Sequence, residues 1–186
     1  MQARELIRRY QLGEREFSAV RIRGLFGMGK ADLSDADLCG CVLGSADLTE
    51  ANLRGAKLRR VTLAGADLRT ADLKRADLQG ADLRLACLKD ADLCEADLRG
   101  VNLRMSNMCG AHLNHVDLRN ADLEHTCLKG AMLFKADLRQ ASMIDVELCG
   151  ADLTEANLKG AVVQTQQLAQ ASSLSGAVMP DGTRHQ

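Results

Sequence analysis

The chain has 186 residues, and 24 Lys and Arg residues nearly balance 25 Asp and Glu residues, which gives a net charge of −1. This balance gives no bias towards nucleic acid or an acidic membrane surface. No apolar run is long enough for a membrane span or a signal peptide, so we expect one cytoplasmic domain. Aromatic residues make up only 2% of the chain, which favours a narrow core over a globular one.

The N-terminal segment, 1–13, predicts a short helix over residues 3–12. Leu6, Ile7 and Tyr10 share one face of this helix, and Gly13 ends it. The next segment, 14–30, is less regular. Phe17 and Ile22 are five residues apart, like the inward residues of the repeats that follow. They are, however, one residue out of phase with Met28 and Leu33. We therefore predict a one-residue bulge within 23–27.

From Ala31 to Thr165 the sequence repeats every five residues with the unit Ala-Asp/Asn-Leu-x-x. An apolar residue, usually Leu, holds the third position of 27 consecutive units. In an α-helix a five-residue step rotates about 500°, so these side chains would form no stripe. In a strand successive Leu residues would lie on opposite faces. A chain that bends once per unit keeps them on one side, which is typical of a solenoid.

The other positions of the unit agree with a bending chain. The residue two before each Leu is small, in most units Ala, which suits a narrow interior. Asp or Asn precedes most Leu residues, and Gly closes many units. Asp and Asn side chains bond to nearby backbone in turns, and Gly tolerates positive φ. We therefore assign the recurring Asp residues to turns and not to acid–base catalysis.

This uninterrupted run of units resembles the pentapeptide repeat family. The resemblance implies an all-β fold, a right-handed quadrilateral β-helix with four units per coil. It also implies about seven coils, inward Leu and small residues, and short helical caps at both ends. The opening RELIRRYQLGEREF and the closing SLSGAVMPDGT resemble the caps of cyanobacterial members.

The C-terminal segment, 166–186, predicts a second short helix over residues 166–173 and a turn at Pro180-Asp181-Gly182. The whole chain, 1–186, is thus one pentapeptide-repeat domain. Its parts are an N-terminal helical cap (1–13), an irregular first coil (14–30), regular repeats (31–165) and a C-terminal helix and tail (166–186).

No residue pattern of an enzyme is found, neither a phosphate loop, a nucleophile elbow nor Cys-x-x-Cys. We therefore predict no catalytic residues and no cofactor. His125 and Cys127 are two residues apart, but two ligands do not make a structural zinc site, so no metal site is predicted. An enzyme or metal protein that uses His125 with Cys127 remains an alternative.

The chain has seven Cys residues, an odd count without a disulfide spacing pattern. Cys41 alone occupies an Ala position of the repeat and should point inward, while the other six should point outward. That many outward thiols favour a reducing compartment.

If each coil takes four units, the equivalent positions of every fourth unit stack in columns. Most outward columns then place Asp beside Arg or Lys, and this pattern breaks in two places. Apolar surface of this kind can mark an interaction site. The first break, here called the middle patch, comprises Leu85, Cys87, Met105, Asn107, His125 and Cys127. The second break comprises Met132 and Phe134, with Ile144 near them in sequence.

These observations predict a non-enzymatic scaffold that binds an unidentified protein through one face of a rigid solenoid. Nucleic acid and membrane are not expected as partners, and the rod should be a monomer or associate weakly end to end. The family resemblance adds an alternative, because some members act as DNA mimics that bind DNA gyrase through a strongly negative surface. The balanced charge columns of this chain disfavour that alternative.

Overall fold

A computed structural model describes residues 1–20 and 28–186 of the chain. In the described residues outside the two helices, the backbone coils so that parallel single-residue bridges join equivalent positions of successive coils, such as Asp32 with Asn52 and Lys57 with Asp77. Four such ladders run along the molecule, which is therefore four-sided. We number the sides 1 to 4 by the residues at which their regular ladders begin. These residues are Asp32, Asp37, Val42 and Asp47.

The core is a column of Leu side chains and small residues that runs along the axis of the coils. Leu83 and Leu93, for example, are fully buried, as is the Ala two residues before each of them. Cys41 occupies an Ala position and is buried, as predicted. The five-residue period thus places the same two positions of each unit inside the solenoid.

Hydrogen bonds between coils hold this column in register. Nearly every inward Leu of the repeats donates its N–H to a carbonyl of the following coil, as from Leu33 to Asn52 at 2.8 Å. The residue before Leu donates to a carbonyl of the preceding coil, as from Asn52 to Ala31 at 2.9 Å. Each interior coil is therefore bonded to the coils on both sides of it, which satisfies the backbone N–H and C=O groups that the coiling chain buries.

Helix α1, Ala3–Gln11, lies against the first coil. It buries Ala3, Leu6 and Tyr10, and the Tyr10 hydroxyl donates to the Ser34 carbonyl at 2.7 Å. Phe17 is buried next to it.

The regular bridges join residues that are 20 apart, such as Asp37 and Lys57, whereas Glu16 bridges to Asp37, a step of 21. The register of the first coil therefore differs by one residue from that of the later coils. The predicted position of the additional residue, 23–27, and the predicted inward Ile22 lie outside the described residues.

Helix α2, Thr165–Leu168, is only four residues long. The prediction of a helix over 166–173 is therefore wrong in extent. After α2 the chain resumes the coil, because Asp152 bridges to Ser173 and Asn157 bridges to Val178, each a step of 21. The buried Gln167 ties α2 to the coil below through its amide, which donates to the Val146 carbonyl at 2.8 Å.

The chain then turns at Pro180-Asp181-Gly182, as predicted. Gly182 donates its N–H to the Met179 carbonyl at 2.9 Å and has a φ of 88°.

Candidate functional site

The recurring Asp and Asn residues form turns. The Oδ1 atom of each accepts the backbone N–H two residues later, at 3.1 Å from Asp97 to Arg99 and at 3.1 Å from Asn107 to Cys109. This is an Asx turn, and it occurs at corresponding places in successive coils. The prediction that these carboxylates shape turns is thereby confirmed.

Most of these carboxylates are also paired with cations. On side 2, Arg99 bonds Asp97 in its own unit at 2.5 Å and approaches Asp117 of the next coil at 3.6 Å. Arg119 repeats the arrangement with Asp117 at 2.6 Å and Asp137 at 3.7 Å. Side 2 is therefore a lattice of alternating charges. Each exposed pair contributes little to stability, since solvent screens it.

We expect the free energy of unfolding to fall as the pH drops below about 4. The hydrogen bond from Arg99 lowers the pKa of Asp97, and partial burial opposes that effect. In the same way, a hydrogen bond from Arg69 lowers the pKa of Asp67, and one from Arg84 lowers the pKa of Asp82. Because the folded pKa lies below the unfolded value, this stabilisation is complete above the unfolded pKa and is lost as the pH falls through the folded one.

Urea midpoints measured between about pH 7 and about pH 2 test this expectation. The matched variant is Asp97→Asn, since Asn keeps an Oδ1 that accepts the turn N–H but does not titrate. It should lose less stability on acidification than the unmodified chain. Midpoints that do not change with pH in the unmodified chain would contradict the argument.

The middle patch lies where side 3 turns into side 4. Leu85 and Met105 occupy the last position of their units, one coil apart, and are 65% and 59% exposed. His125 continues that column, and its Nδ1 lies 3.7 Å from the Asp145 carboxylate. The side-4 ladder brings Cys87, Asn107 and Cys127 beside them.

The surroundings of the middle patch are nearly neutral. On its side-3 flank, Arg84 bonds Asp82 at 2.8 Å, and Arg104 bonds Glu124 and lies 3.4 Å from Asp122. These cations are already satisfied by neighbouring carboxylates. The patch therefore presents apolar surface without a strong field of either sign.

The second patch lies elsewhere, on side 1, where Met132 bridges to His112. Met132 is 38% exposed. Phe134 is half-buried, packs edge-to-face on His115 at 5.5 Å between ring centroids and lies under the Lys135 ammonium at 4.9 Å. The structure does not bring Met132 and Phe134 together with the middle patch.

Ile144 is near the second patch in sequence but not in the fold. It lies on side 3, where His125 donates its N–H to the Ile144 carbonyl at 2.9 Å. The 40% exposed Ile144 side chain therefore extends the flank of the middle patch, next to His125.

Cys109 and Cys127 form a disulfide, with their Cα atoms 5.8 Å apart. The view that the cysteines have no disulfide spacing is therefore wrong. The two residues are 18 apart in sequence, which joins neighbouring outward positions of two adjacent coils along a diagonal. Elsewhere the same diagonal holds ion pairs, including Lys74–Asp92 at 2.8 Å. A search for cysteines with this spacing would have found the pair.

The described residues contain neither a metal-binding cluster nor a membrane-spanning helix. None of their His, Cys, Asp and Glu side chains gather in a group of three or more that could hold a metal. Cys127, proposed above as a partner of His125 for a metal, has its sulfur bonded to Cys109. Within 1–20 and 28–186, no helix has the length and apolar character needed to cross a membrane.

A model of pentapeptide repeats matches the chain in eight copies, over residues 28–65, 51–90, 96–133 and 131–163. These ranges cover well over half of the sequence. The chain belongs to the pentapeptide repeat family. Pentapeptide repeat proteins form right-handed quadrilateral β-helices, and the four ladders described above are that fold.

Several solved pentapeptide repeat structures are similar to this one. One from the thylakoid lumen of Arabidopsis thaliana is 26% identical, with a TM-score of 0.56, over 57% of this chain and 74% of that protein. HetL, a pentapeptide repeat protein involved in heterocyst differentiation regulation from the cyanobacterium Nostoc, is 31% identical over 100% of both chains, with a TM-score of 0.39. No curated protein matches in a sequence comparison. Since one similar structure comes from the thylakoid lumen, the family is not confined to the cytoplasm.

Proposed function

We propose that this pentapeptide repeat protein is a non-enzymatic scaffold that binds another protein through the middle patch. The proposal includes a rod of about seven coils with helical caps, acting in the cytoplasm as a monomer or in weak end-to-end association. Nucleic acid and membranes are not among its proposed partners. The observation that carries the proposal is the position of Leu85 and Met105.

These two side chains are unfavourable for the fold in two ways. They are largely exposed, so burial within the solenoid contributes little. Their backbones also have φ values of 60° and 58°, the left-handed conformation that the last residue of most units adopts and that costs an L-residue about 1–2 kcal/mol. Gly65, in the same column, adopts a φ of 67° without that cost. The fold does not need large apolar residues here, and a binding surface does.

The neighbouring charges indicate the chemistry of the partner. Arg84 and Arg104 are held by carboxylates on side 3, so they are not free to select an acidic ligand. The partner should therefore be a protein that presents apolar side chains of its own. A DNA mimic would need a long negative face, and the Arg–Asp lattice of side 2 offers none.

Replacing both side chains by glycine tests the proposal without damaging the fold. The double variant Leu85→Gly/Met105→Gly keeps a backbone that glycine adopts freely, so its free energy of unfolding should not fall. The relieved left-handed strain offsets the greater entropy that glycine has in the unfolded chain. Binding of a partner captured by the unmodified protein and then purified should weaken at least about tenfold, because two anchoring side chains are lost.

The control is Asn120→Gly, at a corner with a φ of 57° away from the middle patch. It makes the same kind of backbone change and should leave the affinity unchanged. A double variant that binds every partner as tightly as the unmodified protein would exclude the middle patch as the binding surface.

A supercoiling assay with purified gyrase tests the alternative function, since inhibition of gyrase would favour a DNA mimic.

A further inference from the structure

The backbone around Cys109 and Cys127 is fixed by bonds that do not involve their sulfur atoms. Cys127 bridges to Asn107, and its carbonyl accepts the Met108 N–H at 2.8 Å. The Gly110 N–H donates to the Lys129 carbonyl at 2.9 Å. The two Cα atoms are therefore held 5.8 Å apart by the coil itself, within the range that a disulfide requires. Forming or breaking the bond needs no movement of the coil.

The residues around Cys109 differ from those around Cys39 and Cys94, which hold the same position of the unit. Cys39 and Cys94 each follow an Asp by two residues and donate their backbone N–H to its carboxylate. Burial raises the pKa of both thiols, and their hydrogen bonds with Asp37 and Asp92 raise it further.

Cys109 follows the neutral Asn107 instead, whose amide oxygen accepts the Cys109 N–H at 3.1 Å. In its column, Lys89 lies one coil before it and Lys129 one coil after it, at the coil spacing of about 4.8 Å. The Lys129 ammonium is paired with the Glu147 carboxylate at 2.9 Å, so Lys89 is the cation of this column that acts on Cys109. Cations near a thiol favour the thiolate, which is the form that attacks a disulfide. Cys109 is half-buried and faces outward, so a small molecule can reach it.

We propose that Cys109 and Cys127 are a reversible thiol–disulfide site that reacts with low-molecular-weight disulfides of the glutathione class, with Cys109 as the attacking thiol. The Cys109 thiolate attacks one sulfur of the glutathione disulfide, forms a mixed disulfide and releases one glutathione thiolate. The Cys127 thiolate then attacks the Cys109 sulfur and releases the second glutathione. Two protein thiols are oxidised, one disulfide is reduced to two thiols, and the two protons pass to the glutathione thiolates.

The consequence for binding rests on the function proposed above. Cys127 belongs to the middle patch, and Cys109 borders it. In the reduced protein this edge carries two polar thiols. In the oxidised protein it carries an apolar disulfide. The oxidised form should therefore bind an apolar partner more tightly, by several-fold.

The site itself is tested without any partner. The full chain is equilibrated in mixtures of reduced and oxidised glutathione, free thiols are alkylated, and peptides are identified by mass spectrometry. We expect Cys109 and Cys127 to become protected together as the oxidised share rises and to be released by dithiothreitol. The Cys127→Ser variant should accumulate glutathione on Cys109, and Asn107→Asp should slow alkylation of Cys109 about tenfold. The control Cys94→Ser should change none of these results.

Two outcomes would overturn the site. One is a pair that stays reduced in excess oxidised glutathione, and the other is glutathione attached equally to all exposed cysteines of the Cys127→Ser variant. Binding is measured separately, with the oxidised and reduced proteins against the same purified partner. If the pair titrates but affinity does not change, the redox site stands and its regulatory role fails. If Leu85→Gly/Met105→Gly also binds normally, the proposed function fails instead.

Discussion

Replacing Leu83 by Ala should lower the free energy of unfolding by about 3–5 kcal/mol, whereas replacing Leu85 by Ala should change it by less than about 0.5 kcal/mol. The two residues are two positions apart in one unit. Leu83 is fully buried in the central column and Leu85 is 65% exposed. The loss of unfolding free energy caused by Leu83→Ala should lie in the upper part of the range observed for Leu→Ala substitutions at buried positions. The coil of Leu83 is bonded to the coils on both sides, through Leu83 to Asn102 and through Asp82 to Val61, so the backbone cannot move in to close the cavity.

This pair of variants tests the inward and outward assignment directly, since the substitution is the same and only the direction of the side chain differs. Urea unfolding followed by far-ultraviolet circular dichroism measures both. Solenoid stability is a sum over repeats and their interfaces, so a loss in a central coil affects the whole cooperative unit. Equal losses in the two variants would show that Leu85 is packed in solution and would remove it from the middle patch.

The five-residue period was sufficient to predict that the chain bends once per unit and which positions face inward, whereas the four-sided coil followed from the family resemblance. Because neither a helix nor a strand keeps Leu33 and Leu38 on one side, the chain had to bend once per unit, and the structure has these bends. The same period identified the buried Cys41 and the turn-forming Asp residues. These predictions succeeded because they depend only on which position of the unit faces the axis.

Features that depend on contacts between coils were harder to predict. The Cys109–Cys127 pair follows from how outward side chains lean towards the next coil, which a column of stacked positions does not describe. Ile144 and Met132 are close in sequence but lie on different sides. The early end of α2, at Leu168, follows from the return of the chain to the coil, for which the sequence after Val163 offers no clear repeat.

Oxidation of the Cys109–Cys127 pair should raise the free energy of unfolding by about 3 kcal/mol relative to the dithiol form. The bond closes a loop with a sequence separation of 18 residues, and this estimate is the chain entropy that such a loop removes from the unfolded state. Native contacts should contribute little to the difference, because the ladder holds both cysteines in place whether or not their sulfur atoms are joined.

Urea unfolding of the chain with and without dithiothreitol measures this difference. Cys109→Ser should unfold at the midpoint of the reduced protein and should not respond to dithiothreitol, while Cys94→Ser should respond as the unmodified chain does. Equal midpoints for the oxidised and reduced proteins would contradict this prediction, because they would mean that the disulfide does not reduce the conformational entropy of the unfolded chain. Hydrogen exchange gives an independent check on the same difference in stability. The Met108 and Gly110 amides bond the two coils together beside the disulfide. Where their exchange requires unfolding of these coils, it should be slower in the oxidised protein.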